Sequence, residues 1–404
     1  MYIERLTTQE FQEFTFNHPL TSYNQTLQYA KYKELEGYTY DLIGLKDSTG
    51  TIIAASLILF KKVNKYTYGY APRGFLIDYT NLDLLKAFNQ LLYEFYKNYK
   101  ITFIKINPNI FISKYDKNNN RYLYNDNSQI IMNLRNAKFQ ELIRNKNFES
   151  KVPAFTPIIN LKEFKYANLD KNVRNKIRKS YRRGLSIEKI DYYHLNEIYP
   201  FFKNKTKRPL SHYENLFKAL YLSNMIDVFK INVDFEEFLI NTREKYEEVQ
   251  EKNQRIVNKI AFNATDKILS QKIQSDNELR ALEDDIVMAT KGLSKQRVKP
   301  IAGAMVIKYK DMITVYVSGY NYRYKKLNPK DFLYYKIIEY YKYNYTYMDL
   351  NGFSGDTNNV NNPYKGFNDF ILGFNPTVVE TIGEYDLVFD PKKYNKFIQE
   401  VKIK

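Results

Sequence analysis

Apolar positions recur every three or four residues in some stretches and every second residue in others, and the switches between these periods divide the chain into elements. Thr7 to Phe16 read as a capped helix, with Thr8 ahead of Gln9, Glu10 and an apolar face. Residues 40–46 and 51–60 read as two strands about the turn Lys46-Asp47-Ser48-Thr49-Gly50. A helix from about Leu82 to Tyr99 and a strand at 101–107 follow, and the Asn-, Asp- and Lys-rich residues 113–128 read as an exposed insertion. A second pass begins near Val152: a strand from Pro157 to Leu161, a very basic helix at 168–183, and helices over roughly 194–226. Strand patterns at 301–308 and 312–318, a helix at 329–343, a strand at 345–351 and a strand pair near 377–389 complete it. The shared order of helix, two strands, helix and strand predicts an α/β (α+β) protein with two copies of one fold, at 1–150 and 151–404.

Residues 235–263 carry Phe235, Leu239, Thr242, Tyr246, Val249, Ile256 and Ile260 at alternating three- and four-residue spacings. Residues 268–293 answer with Ile268, Leu279, Leu282, Ile286, Ala289 and Leu293. Two such stripes joined by a short polar connection predict an antiparallel coiled-coil arm at 235–298, inserted in the second domain. The stripes are expected to bury against each other, which makes the arm dispensable for folding, with the flanks near Val233 and Pro300 close together.

Composition narrows the chemistry. With 404 residues, 44% of them hydrophobic, the chain can bury more than one core. A net charge of +17 gives a field that attracts polyanions, either nucleic acid or an anionic membrane face. The absence of cysteine excludes disulfides and thiol catalysis, and His18, His194 and His212 show no metal-ligand spacing. The N-terminus MYIERLTTQEF lacks the apolar core of a signal peptide, and TIIAASLILF at 51–60 is too short to span a bilayer. The expected location is cytoplasmic, with contact at the inner membrane surface left open. The 39 tyrosines fit a codon bias better than a collective function.

Several segments together resemble the Fem family (FemABX) of peptidoglycan-bridge aminoacyltransferases: YNQTLQYAKYKE, YAPRGFLIDY, VRNKIRKSYRRG, the hairpin arm, IAGAM, DLNGFSG and GFNPTVVETIGEYDL. Their order and spacing carry the likeness across nearly the whole chain. The resemblance implies two acetyltransferase-like domains, a coiled-coil arm in members acting on the lipid-linked precursor, aminoacyl-tRNA as donor, and no metal or organic cofactor. The acceptor it implies is lipid II, favoured by the arm and the charge, or the UDP-linked muramyl pentapeptide.

The resemblance places Lys33 on the precursor's pyrophosphate and adds Arg73, Arg208, Tyr213 and Tyr316 as substrate-binding positions. In YAPRG, Pro72 and Gly74 make a rigid turn that Arg73 either holds or extends toward ligand. Lys171, Arg174, Arg178 and Arg182 recur on one helical face, suited either to the phosphates of tRNA or to plain solvation. Two positions depart from the family pattern. Asn107 stands where Ile-Asp-Pro is usual, and Ile371 where a lysine is thought to meet the tRNA end, leaving Lys365 as the nearest substitute.

The implied reaction joins an activated ester to a primary amine, so it needs positioning, a proton route and donors for an oxyanion. Without an evident nucleophile, direct attack is expected, with the proton leaving through water or the ribose hydroxyl. A nucleic-acid-binding protein that has lost catalysis is the alternative. Acyl-CoA chemistry is disfavoured, because no Gln/Arg-x-x-Gly-x-Gly/Ala turn opens a helix.

Overall fold

The computed structural model describes residues 1–116, 120–123, 127–143, 146–148 and 152–401. Strand β1 (Tyr2–Arg5) leads into α1 (Thr8–Asn17), whose cap is Thr7: its hydroxyl accepts from the Glu10 amide while the Glu10 carboxylate accepts from the Thr7 amide. Helix α2 (Leu27–Leu35) precedes a meander of β2 (Thr39–Lys46), β3 (Ile52–Val63) and β4 (Tyr66–Ala71). Helix α3 (Leu82–Tyr96) then crosses over to β5 (Ile101–Ile106), which runs parallel to β4. Strands β6 (Phe111–Tyr115) and β7 (Arg121–Leu123), helix α4 (Ser128–Asn136) and β8 (Phe139–Glu141) end the first half.

The second half repeats this plan. Strand β9 (Phe155–Asn160), α5 (Lys171–Arg182), β10 (Leu185–Ile190), α6 (Leu195–Thr206) and α7 (Leu210–Tyr221) lead to β11 (Ile226–Asp234). The arm is α8 (Phe235–Phe262) and α9 (Asp266–Leu293), after which β12 (Val298–Tyr309) pairs back on β11. Strand β13 (Met312–Tyr320), α10 (Pro329–Tyr341) and β14 (Tyr347–Asp349) form a second parallel crossover. Helix α11 (Lys365–Leu372), β15 (Thr377–Thr381), β16 (Tyr385–Val388) and α12 (Pro391–Glu400) close the chain.

Two mixed sheets result, in the orders β1-β2-β3-β4-β5-β16-β8 and β10-β11-β12-β13-β14-β9-β15-β6-β7. The α/β class follows the expectation, but the sheets are not divided near residue 150. Strand β16, from the C-terminal end, joins the first sheet between β5 and β8, and α12 packs on it; β6 and β7 join the second sheet beside β15. Among its described residues, the stretch read as an exposed insertion supplies parts of both these strands: Ser113 is fully buried, while Arg121–Leu123 are exposed; its residues 117–119 and 124–126, and the boundary at 150–151, lie outside the described residues. One apolar core joins the two halves: Phe11, Tyr32 and Leu59 of the first pack in it with Leu216, Met305 and Val317 of the second.

The flanks of the arm are cross-strand neighbours, Asp234 opposite Val298. Its distal seam, with Val249, Ile256 and Leu282, is buried apart from the domain cores, whereas its base is not independent. Phe235, Phe238 and Ala289 belong to the second half's core, and Asp285 forms a two-pronged pair with Arg183 at 2.9 Å on both contacts. The expectation that the whole arm stands apart is corrected by these contacts. The stripe itself is more polar than its apolar spacing suggests, since Asn253, Ser275 and Asp285 are buried in it.

Candidate functional site

The turn YAPRG is held by a residue 47 positions upstream. The fully buried Gln25 amide donates to the Pro72 carbonyl at 2.7 Å and accepts from the Leu57 amide at 2.8 Å, tying α2's entrance to β3 and to the turn. Gly74 is required by this closeness: a Cβ there would lie 2.8 Å from Ser56 Oγ and 2.9 Å from Gln25 Nε2. The Arg73 amide donates to Asn107 Oδ1 at 2.7 Å, and the Asn107 amide group donates to the Tyr70 hydroxyl at 3.2 Å. Asn107 thus serves as a bracket for the turn, which accounts for an amide at this position.

With α2 so anchored, Tyr32, Lys33 and Glu36 are presented to the second half. The loop between α6 and α7 brings Arg208, the first turn of α7 brings His212, and β13 brings Tyr316. His212 Nδ1 lies 2.9 Å from Glu36 Oε2, and its Nε2 lies 2.9 Å from Arg208 Nη1 and 3.0 Å from the Tyr316 hydroxyl. Arginine only donates, so Nε2 accepts and Nδ1 carries the proton, which it donates to Glu36. Burial, with the charges of Arg208 and Lys33, holds the His212 pKa below its ordinary value despite Glu36, in keeping with a neutral ring. Burial alone would raise the Glu36 carboxyl; the donors His212 and Asn215 hold it below the usual range. Arg208 also donates to the Tyr316 hydroxyl at 2.9 Å. The Lys33 ammonium lies over the Tyr32 ring at 4.5 Å, beside this cluster.

Of the substrate positions expected from the sequence, Lys33, Arg208 and Tyr316 converge here. Tyr213 is corrected to a core residue, 1% exposed, with its hydroxyl on Thr206 at 2.6 Å. On a helix its neighbour His212 points about 100° away, and it is His212 that meets the cluster. The sequence shows His212 beside Tyr213 but gives no sign that Glu36, 176 positions away, is its partner.

A cleft of about 390 Å³ adjoins, with Arg73, Tyr23 and Asp349 on its walls. Asp349 ends β14 within the motif DLNGFSG, where Asn351 (φ +59°) and Gly352 (φ +105°) turn the chain sharply. The carboxylate accepts from the Asn351 amide at 2.6 Å, and the Asn351 side chain donates to the Tyr316 carbonyl at 2.9 Å, so the cleft and the cluster share a strand. Burial pushes the Asp349 carboxyl up to about 6, against the opposing effects of the Asn351 amide and the Arg73 charge. Burial likewise lowers the Arg73 guanidinium, with the Asp349 charge countering. Sequence reasoning did not single out Asp349, because its environment is assembled from β14, the turn at Arg73 and Tyr23.

The basic helix is divided in its commitments. Val173, Ile177 and Ser180 face the core, Lys171, Arg178 and Lys179 are exposed, and Arg174 is half-buried. Arg182 turns to Asp285 of the arm at 3.4 Å. Lys365 is exposed in the first turn of α11, and Ile371, on the same helix, is fully buried.

The sequence profile of the FemAB family matches residues 6–402. Lipid II:glycine glycyltransferase of Staphylococcus aureus strain USA300 is 23% identical over 415 residues, covering 98% of this chain and 95% of the relative. The protein of that name from the bovine strain RF122 / ET3-1 is 24% identical with the same coverage. A crystal structure of FemX superposes with a TM-score of 0.75 at 21% identity, over 98% of this chain and 99% of that one. No helix among the described residues is long and apolar enough to cross a membrane.

Proposed function

The chain belongs to the FemAB family, and on that premise we propose that it is an aminoacyltransferase of peptidoglycan bridge formation, moving an amino acid from aminoacyl-tRNA to the stem-peptide amine of lipid II. The observation that carries this reading is the placement of Lys33, over the Tyr32 ring, and Arg208, on the Tyr316 hydroxyl, at the strand β13 whose Thr314 lines the cleft that holds Asp349. Lys33 and Arg208 supply the cations for the acceptor's pyrophosphate, with Glu36, His212 and Tyr316 fixing the arginine. Asp349 takes the proton that the attacking amine must lose. The amine nitrogen bonds to the ester carbonyl carbon, the bond from that carbon to the ribose oxygen breaks, and the proton passes from nitrogen through Asp349 to the departing oxygen. The lipid tail of the acceptor brings the protein to the inner membrane face, with the +17 charge drawing it to anionic lipid.

Incubation with charged tRNAs and either lipid II or the UDP-linked pentapeptide, read by mass spectrometry, tests the proposal. One added aminoacyl mass on lipid II is expected, and no gain with any charged tRNA would overturn it. Lys33→Ala is expected to weaken use of the acceptor by about 1.5–3 kcal/mol while tRNA affinity is kept, as measured from acceptor kinetics and tRNA titration. Neutralising the exposed Lys171, Arg178 and Lys179 should flatten the plot of log tRNA affinity against log salt by roughly one unit per lost contact. An unchanged slope would make this helix a solvated face.

A further inference from the structure

The far end of the arm carries apolar side chains that its own packing does not use. Helices α8 and α9 have 28 residues each, so the hairpin reaches about 42 Å from its base. Near the tip the seam is filled by Asn253, Ile256 and Ser275, with Ile260 and Ile268 half-buried beside them. Val257, Phe262, Leu269 and Ile273 lie outside this seam, Phe262 being 92% and Ile273 63% exposed. All four stand apart from the domain cores. Leu269 and Ile273 are four apart on one face of α9, and Phe262 ends α8 just before the turn. Exposed apolar side chains gathered in one place mark a surface that meets something.

Charge is sorted along the same axis. Residues 252–275 hold Lys252, Arg255, Lys259, Lys267 and Lys272 against Asp266 alone, a net of +4. Lys259 and Lys267, on either side of the turn, are exposed. The shaft below is the reverse. Residues 236–251 hold six glutamates against two cations, and residues 276–285 hold five carboxylates against one, a net of −4 in each helix. An RNA lying along the arm would bring its phosphates against this acidic shaft. A second copy of the chain would bring two cationic tips together. A flat anionic surface approached end-on meets only the basic, apolar tip. A lipid interface satisfies both features, because the headgroups take the cations and the acyl boundary takes Phe262, Leu269 and Ile273.

We propose that the tip of the arm, from Val257 to Ile273, docks on an anionic phospholipid bilayer, with Phe262 entering the boundary between headgroups and acyl chains. This rests on the reading of a lipid-linked acceptor and deepens it by naming the surface that keeps the protein on the bilayer.

The chain has no tryptophan, so Phe262→Trp gives the full-length protein a single reporter at the tip. With vesicles of equal parts phosphatidylglycerol and phosphatidylcholine, and no acceptor, its emission should shift to the blue and be quenched by brominated acyl chains. In cosedimentation, Lys259→Gln/Lys267→Gln should weaken binding to the same vesicles by about 30-fold, the worth of two cations at an anionic surface. Phe262→Ser/Ile273→Ser should weaken it by about ten-fold or more. Lys259→Arg/Lys267→Arg should bind as wild type does, which separates lost charge from a disturbed hairpin. The glutamine and serine variants should transfer to lipid II in detergent at the wild-type rate and lose transfer on vesicles. A tryptophan that is neither shifted nor quenched overturns the proposal, as does vesicle binding that survives both double variants. A shift produced by tRNA without lipid gives the tip to the donor, and one that grows with protein concentration alone gives it to a second copy; either overturns the proposal. Wild type that fails to transfer to lipid II even in detergent overturns the acceptor reading, while the tryptophan signal decides the docking by itself.

Discussion

Asp349→Asn is expected to slow aminoacyl transfer by about 10²–10⁴-fold, the usual contribution of a positioned proton acceptor, with little change in the affinity for either substrate. The reason is electrostatic: burial lifts this carboxyl to about 6, so it is mostly ionised at neutral pH yet basic enough to take a proton from the attacking amine. The sign of the pH dependence follows. The ionised form is active, so the wild-type rate should fall about ten-fold per pH unit below about 6 and level off above it, and the asparagine variant should lack that acid limb. Stability gives a control. A folded-state pKa above the unfolded value means that the protonated carboxyl's advantage is present below the unfolded pKa and is lost as pH rises through about 6. The neutral asparagine should therefore be no less stable than wild type at neutral pH, as read by thermal unfolding. Transfer at near the wild-type rate would assign the proton to water or the ribose hydroxyl instead.

Removing the carboxylate at the base of the arm should lower stability by about 3–5 kcal/mol, because Asp285→Ala strands a buried guanidinium. Arg183 contacts both Asp285 oxygens and also donates to the Lys326 carbonyl, so it clamps the arm's second helix to the turn before α10. Denaturant unfolding measures the loss, and a loss below about 1 kcal/mol would mean that water or Arg182 replaces the pair without penalty. The same geometry predicts two outcomes for arm deletions. Excising 249–279 with a short linker should leave a folded protein, since Val249 and Ile256 lie outside the domain cores. Excising 235–298 should not, because Phe235, Phe238 and Ala289 leave the core with it. Circular dichroism of both variants decides between an appended arm and an embedded one.

Much of this protein is legible without coordinates because much of it is local. The α8 and α9 stripes, the basic helix and the strand pairs are set by neighbours two to seven residues apart, and periodicity reports such neighbours directly. The turn at Arg73 and the candidate positions Lys33 and Arg208 are also marked in the sequence, through segments that resemble the family. What the sequence left undecided depends on residues far apart in the chain. The exchange of β6, β7 and β16 between sheets is a choice of partner, and alternation marks a strand without saying which edge it completes. The neutrality of His212 depends on burial and on the charges of Arg208 and Lys33, the bracket role of Asn107 on Arg73, and the raised carboxyl of Asp349 on the cleft closing around it. Desolvation and charge pairing act through space and sum over every group within a few ångströms, so they come into being only when the two halves meet.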